Sequence, residues 1–357
     1  MNIILLGDIA FTGIISEQPE KNRYRYKEVY PILNSADLVF ANLEVPVKVG
    51  ESRNEHKPFI HYSLPGPTRE LLQLLNIGCV SLANNHIYDC KMPGLQATIG
   101  ILDSLGIYHT GAGWLPKHLD PVIIDRNGFR IGFLAYVAKS TNSKTEYFPQ
   151  VLVNYFELKN VLNGISALKP IVDIIIVSLH WGIDYSYYPT EMQVTVARSL
   201  VNVGADIIMG HHSHTLQPYE RYSGVNIFYS LGGLTFGDYQ KEGKTNLQAL
   251  FRKTKKSAIV SYELGTSNIT FIPTKELQGN FVRIDHRNYK KWSRRRWRLY
   301  RIKNTSRFMV WLFDFYEKVF YRVFEYFFGY YQNPLRRLIQ LRNLGKLRRL
   351  FVGLGSD

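Results

Sequence analysis

The sequence predicts an α/β protein in which two β-sheets pack face to face between helices, with a basic, aromatic helical appendage at the C-terminus. Three observations carry this expectation. Up to about residue 280, apolar runs that end in polar residues alternate with segments of helical periodicity. Several strand patterns are joined in pairs by tight-turn signals, which a purely parallel sheet does not use. After about residue 286 the composition changes character.

The runs "IILLG" (3–7), "ADLVFAN" (36–42), "IGCVSLA" (77–83), "IIIVSLHWG" (174–182) and "DIIMG" (206–210) read as buried strands. Between them, "TRELLQLL", "GLQATIGILDSLG" and "TEMQVTVARSLVNVG" carry apolar residues at helical spacing, and the last two stop at glycine. Hairpins are expected at Asn127-Gly128, at Ser223-Gly224 and within residues 258–274. Strand, polar loop, then helix is the order of α/β folds whose sites lie at strand C-termini.

Composition narrows the class. The 357 residues are 45% hydrophobic and 20% charged, which suits a folded protein with room for one large domain plus an appendage. Two cysteines, Cys79 and Cys90, provide neither a disulfide framework nor a cysteine metal cluster, as in a reducing interior. The opening "MNIILLGDIAFTG" lacks the basic n-region of a signal peptide, and no apolar stretch reaches spanning length. A cytoplasmic location is therefore expected, peripheral at most on the inner face of a membrane.

The net charge of +15 is concentrated at one end, because residues 287–357 hold 18 Lys+Arg against 4 Asp+Glu. This divides the chain into a domain at 1–286 and a basic tail at 287–357. In the tail, "KKWSRRRWR" interleaves cations with aromatics, and 308–328 reads as a helix whose charges occupy an arc of about 140°. A shorter basic amphipathic piece follows at 344–354. Such a tail suits an anionic membrane surface. No recognisable nucleic-acid module frames it, so nucleic acid is not the expected partner.

Chemistry-bearing residues gather where the strands end. Three of the chain's 10 histidines, His211, His212 and His214, follow Gly210. Asp8 follows the first strand run, Asn42 and Glu44 the second, Asn84, Asn85 and His86 the third, and His180 ends the fourth. Carboxylates, amide oxygens and imidazoles form the ligand mixture of a two-metal hydrolytic centre.

In this order, Gly7-Asp8, Asn42-Leu43-Glu44, Asn84-Asn85-His86 with Asp89, His180-Trp181-Gly182, Gly210-His211-His212-Ser213-His214 and Tyr229-Ser230-Leu231-Gly232 resemble the CapA family. That is the capsule and poly-γ-glutamate biosynthesis group of the calcineurin-like metallophosphatases. The resemblance spans roughly residues 1–240 and implies a four-layer α-β-β-α sandwich with two divalent transition-metal ions (Mn, Fe or Zn).

By the same resemblance, Asp8 and Glu44 are metal carboxylates, with Glu44 bridging. Asn85 and His180 bind the second metal, His212 and His214 give each metal one imidazole, and His86, oriented by Asp89, is the general acid. Further ligand or contact positions are His211, Asn42, Asn84 and Trp181. An Asp89 partner is expected to fix the His86 tautomer and raise its pKa.

The sequence also departs from the classical pattern. Asp8-Ile9-Ala10 lacks the histidine of Asp-x-His, Asp184 stands where the family has Glu, and Gly233-Leu234 replaces Asn-Phe. The expected activity is metal-dependent hydrolysis, of a phosphoester, in capsule or surface-polymer assembly. The alternative is a non-catalytic, membrane-associated component of a polymer synthesis complex that works with capsule-synthesis partner proteins.

Overall fold

The computed structural model describes residues 1–315 apart from 58, 142, 238, 239, 242, 243, 246–254, 267 and 305. An eight-stranded sheet runs in the order Phe281–Ile284, Asn268–Leu277, Lys256–Glu263, Asn2–Ala10, Leu38–Leu43, Ile77–Ser81, Tyr108–Thr110, and Gly233–Phe236 pairs with Asn2–Ala10 off this path. A six-stranded sheet runs Tyr219–Tyr222, Val225–Phe228, Ile207–His211, Ile174–His180, Phe129–Val137, Val122–Arg126. The strands framing the site are designated β1 (Asn2–Ala10), β2 (Leu38–Leu43), β3 (Ile77–Ser81), β4 (Ile174–His180), β5 (Ile207–His211) and β6 (Gly233–Phe236).

The three hairpins form where the turn chemistry places them. Val122–Arg126 pairs antiparallel with Phe129–Val137, Tyr219–Tyr222 with Val225–Phe228, and Lys256–Glu263 with Asn268–Leu277. In the first two turns, Asn127 and Gly128 have φ of 48° and 79°, and Ser223 and Gly224 have 47° and 84°. Both central residues at positive φ match the twist of the flanking strands.

The main helices are α1 (Pro65–Leu74), α2 (Lys91–Ser104), α3 (Leu158–Leu168), α4 (Glu191–Val203), α5 (Tyr289–Lys303) and α6 (Arg307–Phe315). Helix α4 starts where Thr190 Oγ1 accepts from the Gln193 N–H at 3.2 Å while Gln193 Oε1 accepts from the Thr190 N–H at 2.9 Å. This reciprocal cap contributes about 1 kcal/mol. Gly204, at φ 124°, closes the other end.

Three buried clusters define the layers. Leu71 and Leu72 of α1 and Leu95 and Ile99 of α2 pack with Ile4, Val39 and Val80 of the larger sheet. Leu5, Phe40 and Val260 meet Phe133, Ile176 and Met209 between the sheets. Val161 and Ile165 of α3 and Ala197 and Leu200 of α4 cover Val177 and Ile208 on the far face of the smaller sheet. Helices therefore flank two sheets packed on one another, and each buried Leu, Ile or Phe contributes about 1.5–3 kcal/mol.

Helix α5 joins this body. Tyr289 lies in the inter-sheet cluster with Trp292 against it, while Trp297 and Tyr300 pack on the α3–α4 cluster. Trp297 Nε1 donates to the Tyr219 carbonyl at 2.6 Å. The cations Lys290, Lys291, Arg294, Arg295, Arg298 and Arg301 face solvent. In this helix the aromatics pack inward, the arrangement expected if the charges alone are presented outside. The predicted helix at 308–328 is described only as far as Phe315, and residues 344–354 lie outside the described residues. Among the described residues, no helix is long and apolar enough to cross a membrane.

Candidate metal centre

Strand register brings the polar residues together. Asp8 of β1 pairs with Asn42 of β2, and His211 of β5 pairs with His180 of β4. Because β1, β2 and β3 run parallel, as do β4 and β5, each set presents its C-terminal ends along one edge. The first strand is longer than its apolar run predicts: it continues past Asp8 to Ala10, with register shifts on both sides of Asp8. Such irregularities re-aim a side chain.

Two glycines allow close approach. A Cβ on Gly7 would stand 1.8 Å from the Gly232 carbonyl oxygen, and one on Gly210 1.9 Å from that of Tyr229. Beyond Gly210 the chain bends sharply, with His212 and His214 at φ 85° and 53°. Left-handed backbone at non-glycine residues is uncommon and clusters at functional sites.

The side chains form two adjoining groups. In one, ligand atoms of Asp8, Glu44 and His214 all lie within 4.8 Å of one another. His214 Nε2 is 3.3 Å from Glu44 Oε1, and its Nδ1 is 3.6 Å from Asp8 Oδ2. In the other, His180 Nε2 is 3.0 Å from Asn85 Oδ1, and its ring centroid is 4.9 Å from that of His212. His211 Nδ1 lies 3.2 Å from Asp8 Oδ1, so all three clustered histidines reach the site.

Other sequence-predicted residues serve the walls. Asn42 Nδ2 donates to Asp8 Oδ1 at 2.8 Å. Asn84 donates to the Leu43 carbonyl at 2.8 Å and accepts from the His86 N–H at 3.1 Å, which shapes the loop. Trp181 is buried among Leu179, Val194 and Tyr229, with its indole N–H on the Tyr229 carbonyl. Asp184 Oδ1 stands 3.5 Å from His212 Nε2.

His86 Nδ1 is 2.7 Å from Asp89 Oδ2, as the resemblance implies. Two residues absent from the sequence reading complete this corner. Lys57 Nζ is 2.7 Å from Asp89 Oδ1 and also donates to the Asn85 carbonyl. The His61 backbone N–H donates to Asp89 Oδ2 at 2.7 Å, and its ring lies edge-on to His86 at 4.7 Å. Both sit in the irregular segment between β2 and α1, where no periodicity marks them; the only signal is a lysine and a histidine four positions apart.

Burial sets the electrostatics. It alone would raise the Asp8 carboxyl, but contact with His211 and the charges of His214 and His180 hold it well below the usual range. Burial and the adjacent Asp8 charge push Glu44 well above its ordinary value. Burial, then His212, depress His180, and burial and His86 lower His61 to about 3. Contrary to the expectation from its partner, His86 is lowered: burial outweighs the upward pull of Asp89.

The residues fit divalent metal. Glu44 Oε1 and Oε2, both ring nitrogens of His211, and Nδ1 of His212 and His214 are buried without a hydrogen-bond partner among the described residues. Buried polar atoms are nearly always paired, so several orphaned carboxylate and imidazole atoms gathered in one place suit a bound cation. Carboxylate, amide oxygen and neutral imidazole are its ligand types.

Two sheets packed between helices, with such a donor set at the strand C-termini, make an α/β sandwich with a candidate metal site along one sheet edge. A model of the family described as bacterial capsule synthesis protein PGA_cap matches residues 2–238, and the chain belongs to that family. It is 30% identical over 297 residues to the capsule biosynthesis protein CapA of Bacillus anthracis, covering 78% of this chain and 68% of that one. It is 31% identical over 277 residues to the PGA biosynthesis protein CapA of Bacillus subtilis, covering 75% and 70%. Among solved structures, the calcineurin-like phosphoesterase YfkN from Bacillus subtilis aligns with a TM-score of 0.42 at 15% identity, covering 80% of this chain and 87% of that one.

Proposed function

We propose that the protein is a metal-dependent phosphoester hydrolase acting in the biosynthesis of a capsule or a poly-γ-glutamate-like surface polymer. The observation that carries this reading is the set of buried, unpartnered carboxylate oxygens and imidazole nitrogens beside a His86–Asp89 pair. Asp8, Glu44 and His214 would hold one divalent cation, and Asn85, His180 and His212 a second, with His211 backing Asp8. Transition-metal cations held there would polarise a phosphoryl oxygen and acidify the attacking water.

The chain's own residues supply the rest. Asp89 accepts a hydrogen bond from the Nδ1–H of His86, which leaves the proton on Nε2 of the imidazolium to be delivered to the departing oxygen. Lys57 holds Asp89 from its other oxygen and Asn85 through its carbonyl, so the acid and one metal-facing amide share an anchor. Burial depresses His86 in the free protein. An anionic phosphoester beside it would restore the protonated form, coupling acid strength to substrate binding.

The test is elemental analysis of the purified chain followed by hydrolysis of bis-p-nitrophenyl phosphate with Mn²⁺. Bound transition metal, with activity lost in His86→Ala and His180→Ala, is the expected result. A metal-free, inactive but folded protein overturns it. The second reading, a non-catalytic component on an anionic membrane, is favoured by the six solvent-facing cations of α5. It predicts that His86→Ala leaves polymer production unchanged while replacing those cations by glutamine abolishes it.

A further inference from the structure

We infer that a hydrogen-bond latch closes the Asn85–His180 half of the metal centre in the metal-free protein. The half formed by Asp8, Glu44 and His214 then fills first, and a second cation enters only by opening the latch. This order of filling rests on the two-cation reading above.

The latch is a chain of hydrogen bonds that runs in one direction. The His86 backbone N–H donates to Asn84 Oδ1 at 3.1 Å. Asn84 Nδ2 is thereby turned to donate to the Leu43 carbonyl at 2.8 Å and to Asn42 Oδ1 at 3.3 Å. That leaves the Asn42 amide N–H groups for Asp8 Oδ1 at 2.8 Å and His180 Nδ1 at 3.3 Å. At the far end, Asn85 Nδ2 donates to the Thr141 carbonyl at 3.2 Å, which turns Asn85 Oδ1 toward His180 Nε2 at 3.0 Å.

A backbone N–H can only donate and a backbone carbonyl can only accept, so both ends fix the direction of the chain. His180 Nδ1 accepts, and the ring proton sits on Nε2, donated to Asn85 Oδ1. Asn42 and Asn84 are fully buried and His180 is 1% exposed, which shields the chain from water. Both ring nitrogens of His180 and the Asn85 oxygen are in use, so a cation at this pair has to displace a hydrogen bond.

The other half is open. Both Glu44 oxygens and Nδ1 of His214 are buried without a hydrogen-bond partner among the described residues, and ligand atoms of Asp8, Glu44 and His214 lie within 4.8 Å of one another. Two buried carboxylates side by side destabilise each other, and a cation bound to them relieves this. Asn85, His180 and His212 offer an amide oxygen and imidazoles instead. The carboxylate beside them, Asp184 at 3.5 Å from His212 Nε2, is 53% exposed and screened by water. Charge and open acceptors together favour the first half by roughly tenfold or more in affinity.

The experiment titrates full-length, metal-free protein carrying isotope-labelled histidine with Zn²⁺ alone. Proton–nitrogen NMR is the readout, with His180 assigned through His180→Ala. The expected result is a neutral His180 ring with its proton on Nε2, unchanged by the first equivalent of Zn²⁺ and lost with the second. In chelator competition the first equivalent should bind tighter by roughly tenfold or more. His180→Ala should keep the first step and lose the second, and Glu44→Gln should weaken the first. One equivalent bound with His180 untouched even in excess Zn²⁺ upholds the latch and counts against a two-metal hydrolase. A His180 proton on Nδ1 in metal-free protein, loss of the Nε2 proton with the first equivalent, or two equivalents bound with equal affinity overturns the inference and leaves the two-cation reading standing. Protein that binds no Zn²⁺ overturns both.

Discussion

Two buried polar clusters lie beside β6, and they are built on opposite principles. Around Thr235, Lys255 Nζ is 2.8 Å from Glu276 Oε2, while Thr235 and Asn280 donate to Glu276 Oε1 at 2.9 and 2.8 Å. Tyr26 completes that chain with a 3.0 Å hydrogen bond to Thr235. Around Asp8, by contrast, Glu44 and three histidines hold buried atoms that nothing among the described residues satisfies. A carboxylate with a cation and two donors is structural; a carboxylate buried beside another carboxylate without them is held for something else.

Four measurements break or sharpen that contrast. Glu276→Ala removes the carboxylate that holds Lys255, Thr235 and Asn280 and should lower stability by about 3–5 kcal/mol in urea unfolding. A loss below about 1 kcal/mol would show the first cluster to be dispensable. Mn²⁺ at about 100 times its Kd should stabilise the chelated protein by about 2.7 kcal/mol, read as a rise in Tm. The same addition should leave Tm unmoved in Glu44→Gln.

Asp89→Asn keeps the shape of the His86 contact but removes the charge, and should cut turnover by about 10–100-fold. If turnover falls no further than twofold, His86 is positioned by other means. The smallest effect is the most diagnostic. In metal-free protein, Glu44→Gln should be neutral or stabilising by up to about 1 kcal/mol, because burial and Asp8 already disfavour the charged carboxyl. A clear destabilisation would place Glu44 with Glu276 as a structural residue.

Much of this was legible from residue order. The hairpins at Asn127-Gly128 and Ser223-Gly224 follow from local turn chemistry, and the apolar runs before Asp8, Asn42, Asn84 and His180 mark strands by pattern alone. Each strand-end residue could be named because β-strands carry their polar residues to a common edge. The strand Gly233–Phe236 was not legible as a strand, since its pairing partner, β1, lies more than 200 positions away. Helix α3, with Val161, Ile165 and Leu168 on its buried side, also escaped the reading. The aromatic content of α5 was visible, but not the direction its rings face.

The sequence by itself determined which residue types stand at each strand end, the hairpin turns, and the split between a near-neutral body and a basic tail. These are properties of neighbours along the chain, set by backbone preference and periodicity. Only the tertiary structure decided that Asp8, Glu44 and His214 share one site, that Lys57 and His61 hold Asp89, and that the tryptophans of α5 pack inward. Those outcomes depend on register between distant strands and on burial, and burial changes what a carboxylate or an imidazole does without changing its place in the sequence.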